Sequence, residues 1–258
     1  MGIVGTIAWN TFREAVRDRV LYNLVFFALV MMAAAVLVGQ ISLGIERLVI
    51  VNLGLTAISV FGVVMAIFIG VSLVHKEMER QTLYSLLSKP VRRWEFIAGK
   101  FAGLGLTLAV NTAFMTVGLA AALLYVERAL RAGDAPILVA VFFILLQLVL
   151  LTGIALLFSC FCTPLVSTIC ALGLYVAGLF SQDIRALGEL SKNPWLERLT
   201  AGISYLLPNF NAFNVIGAVA HGKPIPGMLV LENTAYAVLY TTVTLVGAAA
   251  IFSNRDLK

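Results

Sequence analysis

The side chains of this sequence that could do chemistry are few and scattered. Residues 217–224 read Gly-Ala-Val-Ala-His-Gly-Lys-Pro, which fits the Gly-x4-Gly-Lys pattern of a phosphate-binding loop. However, Pro224 stands where a Ser or Thr would hold magnesium, and the pattern follows no predicted strand. We therefore expect that this chain does not bind ATP through these residues.

Residue sets for nucleophilic or metal-assisted catalysis are also missing from the sequence. It has no HExxH pair and no Gly-x-Ser-x-Gly elbow, and its two histidines are far apart in the chain. The cysteines supply no four-ligand metal set, and we interpret them as reduced packing residues. They are Cys160, Cys162 and Cys170. The sequence thus predicts a chain that is not an enzyme and holds no cofactor of its own.

The composition indicates the class of protein. Of the 258 residues, 61% are hydrophobic and only 12% are charged, and the mean hydropathy is +0.99. A soluble domain is about 45–50% apolar and about 25% charged, so this chain has too few polar residues to cover a globule. We interpret the net charge of +5 as a signal for membrane orientation rather than for nucleic-acid binding. The sequence predicts an integral membrane protein.

Six apolar runs predict six transmembrane helices, because backbone in lipid must satisfy its own hydrogen bonds. They cover residues 20–40, 48–74, 97–126, 136–158, 165–181 and 231–252. Ahead of them, apolar residues recur at helical spacing in residues 3–19, with charged residues on the opposite face. This pattern predicts an amphipathic helix in the membrane interface. The predicted fold is an all-α polytopic membrane protein, with residues 1–258 forming a single transmembrane domain.

The distribution of Lys and Arg predicts the orientation of the chain. Eleven of the 18 lie in the segments that share a side with the two termini, five of these in residues 75–96, so both termini are expected in the cytoplasm. The predicted outer segment, 182–230, is too broken by prolines to span and too apolar for a free loop. We expect short interfacial helices or a re-entrant hairpin there, with a small extracytoplasmic cap as the alternative.

The predicted spans carry no acid or base suited to an ion relay, which ion-coupled transporters usually place in the middle of the membrane. The uncharged polar residues within the spans include Asn111, Thr112 and Gln147. These three are candidates for lining a substrate path. For Asn111 and Gln147, a hydrogen bond between helices is the favoured interpretation.

Residues 75–100 resemble the first cytoplasmic loop of a known family. Residues 77–83 read Glu-Met-Glu-Arg-Gln-Thr-Leu, residues 86–93 read Leu-Leu-Ser-Lys-Pro-Val-Arg-Arg, and residues 96–100 read Phe-Ile-Ala-Gly-Lys. These motifs are similar to those of ABC-2 type permeases, the membrane subunits of ATP-binding-cassette exporters. Permeases that serve nitrous oxide reductase maturation look similar as well. The ending Phe-x-x-Arg-Asp-Leu at 252–257 gives weaker support.

This resemblance implies roles for particular residues. The helix around residues 77–83 would be a coupling helix that docks into an ATPase subunit, and the turn at 159–164 would be a second, smaller contact. The implied contact residues are Glu77, Glu79, Arg80, Thr82, Leu83, Cys162 and Thr163. Arg13 and Arg17 would belong to an interface helix beside the ATPase, and 182–230 would form re-entrant helices that close the exit.

The resemblance also implies the assembly and the energy source. Two copies of the chain would pair with two separate ATPase subunits, which would bind the ATP and magnesium, in a bacterial or archaeal plasma membrane. The expected function is export of a substrate, with lipids but no nucleic acid as further partners. One alternative is a mechanotransmission subunit that drives an extracytoplasmic partner without transport. Another is an ATP-independent channel or carrier.

Overall fold

The computed structural model describes residues 2–17, 19–41, 44–79, 92–127, 134–191 and 193–254, and within this part every regular element is a helix. In chain order the helices are α1 Ile3–Val16, α2 Arg19–Ile41, α3 Glu46–Glu79, α4 Arg93–Glu127, α5 Ala135–Ser159, α6 Pro164–Leu179, α7 Ser181–Leu190, α8 Pro194–Leu206, α9 Ile216–Ala220 and α10 Gly227–Asn254. A 3-10 turn, Phe210–Phe213, lies between α8 and α9. The predicted all-α polytopic fold is confirmed.

Five of these helices are long and apolar enough to cross a membrane: α2, α3, α4, α5 and α10. The predicted fifth span, 165–181, is α6, which has 16 residues and continues into α7 after a bend of 51°. At 1.5 Å per residue α6 is about 24 Å long, shorter than the roughly 30 Å hydrocarbon core. The chain is an integral membrane protein, and its described residues contain five helices able to span the membrane, or six when the bent pair is counted as one span.

α3 and α5 form the centre of the bundle and run parallel to each other. A Cβ atom on Gly62 would lie 2.6 Å from Leu148 Cδ1, and one on Gly70 would lie 3.0 Å from Ala155 Cβ. Each glycine therefore lets the two helices approach more closely than any side chain would allow. These two glycines of α3 thus serve packing within this chain.

Ion pairs connect the helices at one end of the bundle, and apolar packing connects them at the other. At one end, Arg47 of α3 forms ion pairs with Glu127 of α4 and with Asp134 beside α5. At the other end, Phe96 of α4 stacks on Phe252 of α10 with ring centroids 5.8 Å apart, and both belong to a buried apolar cluster with Cys160. We call the end with Phe96 and Phe252 the loop end, because residues 80–91 connect α3 to α4 there. We call the end with Arg47 the far end.

α1 lies along α4 at the loop end. A Cβ on Gly99 would lie 2.7 Å from Ile7 Cβ, and one on Gly103 would lie 2.5 Å from the Ala8 carbonyl oxygen. The predicted amphipathic helix over 3–19 is therefore a helix that ends at Val16, packed on α4 through two glycines, and Arg19 already begins α2.

The segment 182–230 contains short helices and a return of the chain into the protein, while its place outside the cytoplasm stays a prediction. α7 and α8 pair side by side, with Gly188 against Thr200, and they expose apolar side chains at the far end. The chain then turns back into the protein, where Phe210 and Phe213 of the 3-10 turn are fully buried. α7 and α8 thus form an amphipathic pair of helices, and residues 207–226 form a re-entrant strap.

Candidate functional site

A cavity of about 310 Å³ lies in the half of the bundle nearer the far end. It is enclosed by α3, α5, α6 and the re-entrant strap. Its polar side chains are Asn52, Thr56 and Ser59 of α3, Gln147 of α5, Tyr175 of α6 and Asn214 of the strap. Three residues, 52, 56 and 59, recur at helical spacing, so one face of α3 supplies half of this polar lining.

These six polar side chains are uncharged, and the other described residues that line the cavity are apolar, Ile144, Leu179 and Phe213 among them. Amides and hydroxyls can each donate and accept hydrogen bonds, so they suit a ligand with neutral polar groups. Gln147 Nε2 donates a hydrogen bond of 2.9 Å to the Tyr175 hydroxyl, which links α5 to α6 across the cavity wall. Gln147 therefore both lines the cavity and joins two helices, the two roles that the sequence analysis considered for it.

The cavity reaches the surface of the chain. Thr56 and Asn214 are exposed, and Asn52 and Ser59 are half-buried. Polar groups facing hydrocarbon are costly, because lipid offers them no hydrogen-bonding partner. This face of the chain is therefore unsuited to lipid and suited to water or to another protein surface.

The strap that closes one side of the cavity is fixed by α10. Asn233 Nδ2 donates to the Ala212 carbonyl at 3.0 Å, and the Asn209 backbone N–H donates to the Tyr236 hydroxyl at 2.9 Å. Within the strap, the Asn209 side chain accepts a hydrogen bond from Ala212 N–H. The strap is thus held to a membrane-spanning helix by polar contacts, and a movement of α10 would move it.

Asn111 and Thr112 lie on α4, away from this cavity. Both are buried, and within the described part of the chain the Asn111 amide nitrogen has no hydrogen-bond partner. The structure thus brings Gln147, but not Asn111 or Thr112, to the cavity. The cavity residues that the sequence analysis did not single out are Asn52, Thr56, Ser59, Tyr175 and Asn214. A search for polar residues at helical spacing within the second apolar run would have found the first three.

At the loop end, the described residues cover part of the predicted ATPase contact. Glu77 and Glu79 lie in the last turns of α3, while Arg80, Thr82 and Leu83 fall outside the described residues. The shorter turn between α5 and α6 is described in full. There Cys162 N–H donates to the Phe158 carbonyl at 2.9 Å, and Thr163 directly precedes α6 with an extended backbone.

α3 reaches further at the loop end than α5 does. Because Gly70 is level with Ala155, the end of α5 at Ser159 is level with about residue 74 of α3, and α3 continues to Glu79. α1 lies at this same end, with Arg13 and Arg17 exposed. The helix end with Glu77 and Glu79, the 160–163 turn and α1 are thus all presented on one side of the molecule.

A comparison with known protein families gives one match that covers nearly the whole chain. The family is described as ABC-2 family transporter protein, and its sequence model matches residues 5–257. No curated protein shows a significant match to the sequence. The family match spans α1, all the long helices and the strap that closes the cavity. The chain therefore belongs to the ABC-2 family of transporter proteins.

Proposed function

We propose that the chain is the permease subunit of an exporter driven by ATP hydrolysis in a separate subunit. ATP and magnesium would bind to that ATPase, and its docking site would be the loop end. The contact residues would be Glu77, Glu79, Arg80, Thr82, Leu83, Cys162 and Thr163. Both termini would then lie in the cytoplasm of a bacterial or archaeal cell, and the far end would face outward across the plasma membrane.

The observation that carries this proposal is the continuity of α3. One uninterrupted helix of 34 residues runs from Glu46 to Glu79, about 51 Å at 1.5 Å per residue. One of its ends enters the loop that would contact the ATPase, and its other half presents Asn52, Thr56 and Ser59 to the cavity. A displacement of the coupling loop would therefore be transmitted directly to the cavity wall.

α4 and α1 would move together with α3. α4 begins at the other end of the coupling loop, and α1 is packed against its backbone at Gly99 and Gly103. Close-packed helices have little room to slide independently, since their side chains interdigitate at crystal-like density. Closure of the ATPase would thus act on the three helices as a unit.

The polar face around the cavity also supports a second copy of the chain as partner. Thr56 and Asn214 are exposed in the single chain, although they border segments that lie in the membrane. Pairing two copies about a two-fold axis would bring the two polar faces together and remove them from lipid. The substrate path would then run between the copies.

A mechanotransmission subunit for an extracytoplasmic partner is the second candidate function. It would share the fold and the ATPase, but its central path would be sealed by apolar side chains. The cavity instead has six uncharged polar side chains, which favours transport. An ATP-independent channel or carrier is disfavoured by the match to a transporter family whose members work with ATPase subunits.

The proposal is tested by purifying the chain in mild detergent and identifying the proteins that accompany it by mass spectrometry. We expect a stoichiometric ATPase subunit. The variant Glu79→Ala/Arg80→Ala should insert into the membrane normally and lose most of this ATPase. The control is Glu197→Ala/Arg198→Ala, which removes the same pair of residue types from exposed positions on α8. Equal ATPase recovery with both variants would contradict the docking site.

A further inference from the structure

Four polar side chains of the cavity between α3, α5, α6 and the strap are accessible to a ligand. Asn52 and Ser59 are half-buried, and Thr56 and Asn214 are exposed. Two of them are amides and two are hydroxyls, so together they offer both donors and acceptors. A ligand with acceptors alone would leave the amide carbonyl oxygens unpaired, which is unfavourable away from water. A headgroup with several hydroxyls, each able to donate and to accept, matches this lining.

The absence of charge is the second property of this lining. Among the lining residues that the structure describes, none is Lys, Arg, His, Asp or Glu. The inner wall lies deep in the membrane, because Gln147 is the central residue of the spanning helix α5, Ala135–Ser159. An ionised group at such a depth is unfavourable unless a counter-charge or water compensates it. The cavity therefore favours an uncharged headgroup over an ionised one.

The cavity continues into an apolar strip on the surface of the chain. Val60 of α3 and Leu179 of α6 line the cavity, and Val60 is 53% exposed. Leu172 and Val176 precede Leu179 by about two turns and about one turn, so the three share one face of α6. Leu172 and Val176 are both exposed. A hydrocarbon chain attached to a headgroup in the cavity would follow these four residues, which we call the apolar strip.

The volume of the cavity limits what it encloses. Pockets that enclose most of a drug-sized ligand measure about 300–1,000 Å³, and this cavity, at about 310 Å³, is near the lower limit. It therefore suits one headgroup rather than a complete amphiphile. The rest of the molecule has to lie outside the cavity, where the apolar strip begins.

We infer that the cavity binds the uncharged, hydroxyl-rich headgroup of an amphiphile whose hydrocarbon chain lies along the apolar strip. Thr56 and Ser59 form hydrogen bonds to the headgroup together with the amides of Asn52 and Asn214. Ionised headgroups bind weakly, because the described lining offers them no counter-charge. The inference rests on the proposed function, since it names the class of substrate that the exporter would carry.

The inference is tested by ligand binding to the full chain, purified with its accompanying subunits and placed in phosphatidylcholine nanodiscs without nucleotide. The probes are radiolabelled n-octyl-β-D-glucoside and n-octyl-β-D-glucuronide, in which a carboxylate replaces the CH₂OH group. Empty nanodiscs measure how much of each probe enters the lipid. We expect saturable binding of the octyl glucoside, and at least about tenfold weaker binding of the glucuronide. Methyl-β-D-glucoside should bind at least about tenfold more weakly as well, because it lacks the hydrocarbon chain.

The variant Thr56→Val assigns the binding to the cavity. It replaces a hydroxyl by a methyl group at an exposed position, so the chain should fold normally and its affinity for octyl glucoside should fall about 2–10-fold. The control is Thr242→Val, the same change at an exposed position of α10 outside the cavity lining, which should bind like the unmodified chain. Asn52→Lys supplies a counter-charge and should raise the affinity for octyl glucuronide about tenfold.

Equal affinities for octyl glucoside and octyl glucuronide would overturn the inference, as would octyl glucoside binding no greater than in empty nanodiscs. Equal affinities of the Thr56 and Thr242 variants would place the binding outside the cavity and overturn it too. Lack of octyl glucoside binding with normal recovery of the ATPase subunit would contradict this inference alone. Octyl glucoside binding to a chain that recovers no ATPase subunit would contradict the proposed function alone.

Discussion

Gly103 shows how a single missing side chain positions α1. A Cβ at this position would lie 2.5 Å from the Ala8 carbonyl oxygen and 2.6 Å from Thr11 Cβ. The first atom belongs to the backbone and the second is the branch point of a side chain, so neither can move aside without a shift of α1. This explains in physical terms why Gly is present three residues after Lys100 in a helix that faces another helix.

The variant Gly103→Ala should therefore destabilise the protein by about 1–3 kcal/mol, the usual effect of overpacking. Gly105→Ala is the matched control, because a Cβ there would meet nothing within 4 Å on the same helix. The control should be neutral or slightly stabilising, since Ala favours helix over Gly. Thermal unfolding in detergent measures both, and equal midpoints would show that α1 is not packed as described.

Gln147 and Tyr175 form the hydrogen bond that spans the wall of the polar cavity. In a membrane such a bond contributes about 0.6 kcal/mol and at most about 1.7 kcal/mol. The single variants Gln147→Leu and Tyr175→Phe and their combination form a double-mutant cycle. We expect a coupling energy in this range from thermal unfolding. Strictly additive effects would show that the two side chains do not interact.

At the scale of the helices, the far end depends on one arginine. Arg47 contacts both Glu127 and Asp134, and so links the ends of α3 and α4 to the start of α5. Without the cation, the two carboxylates would remain close together and partly buried. Like charges at short distance repel each other, so this network is expected to be sensitive to the loss of Arg47.

Replacement Arg47→Met should lower stability by about 1–3 kcal/mol, less than for a fully buried pair because Arg47 is 33% exposed. Adding Glu127→Gln should restore part of the loss. Arg185→Met is the control, since the Arg185–Glu189 pair is exposed on α7 and should matter by less than about 1 kcal/mol. If both arginine variants unfold at the same temperature, the far-end network contributes nothing.

The helices were predictable from sequence where hydropathy alone determines them. The apolar runs 48–74 and 97–126 correspond to α3 and α4, but both helices are longer than their runs. Each apolar run ends near flanking charged residues, whereas the helical backbone continues through those residues. The bend between α6 and α7 at Phe180 was not predictable either, because the nearest glycine, Gly178, lies inside α6 and glycine is common in membrane helices.

The polar cavity was only partly predictable for a different reason. Its lining comes from four segments that are distant in sequence, from Asn52 to Gly217. Their approach depends on close packing of α3 on α5 at Gly62 and on the return of the strap into the protein. The small residues of α3 at positions 62, 66 and 70 favour close helix packing but do not identify the partner helix, and the return of the strap leaves no local pattern in the sequence. Periodicity could have found the polar face of α3, but not the residues that face it.

At the scale of the whole molecule, α3 connects the two regions on which the proposed function depends. It is longer than the roughly 30 Å hydrocarbon core, and its last turns lie beyond its apolar stretch, Glu46–Ser72, at the loop end. Its other half forms one wall of the polar cavity. α10 also spans the molecule, from the strap contact at Asn233 to the Phe96 contact at Phe252. Two helices thus connect the proposed ATPase contact to the cavity.

The most direct test of this account measures the accessibility of Ser59 on α3 in the complete complex with its ATPase. Cys160, Cys162 and Cys170 would first be replaced by serine, and this background would be shown to retain its ATPase subunit, because Cys162 belongs to the proposed docking site. Ser59→Cys would then be labelled with a water-soluble maleimide. We predict that the labelling rate differs between nucleotide-free and ATP-bound complexes. The difference should disappear with Glu79→Ala/Arg80→Ala and persist with Glu197→Ala/Arg198→Ala. A labelling rate that does not respond to ATP in the intact complex would contradict the coupling of α3 to the ATPase.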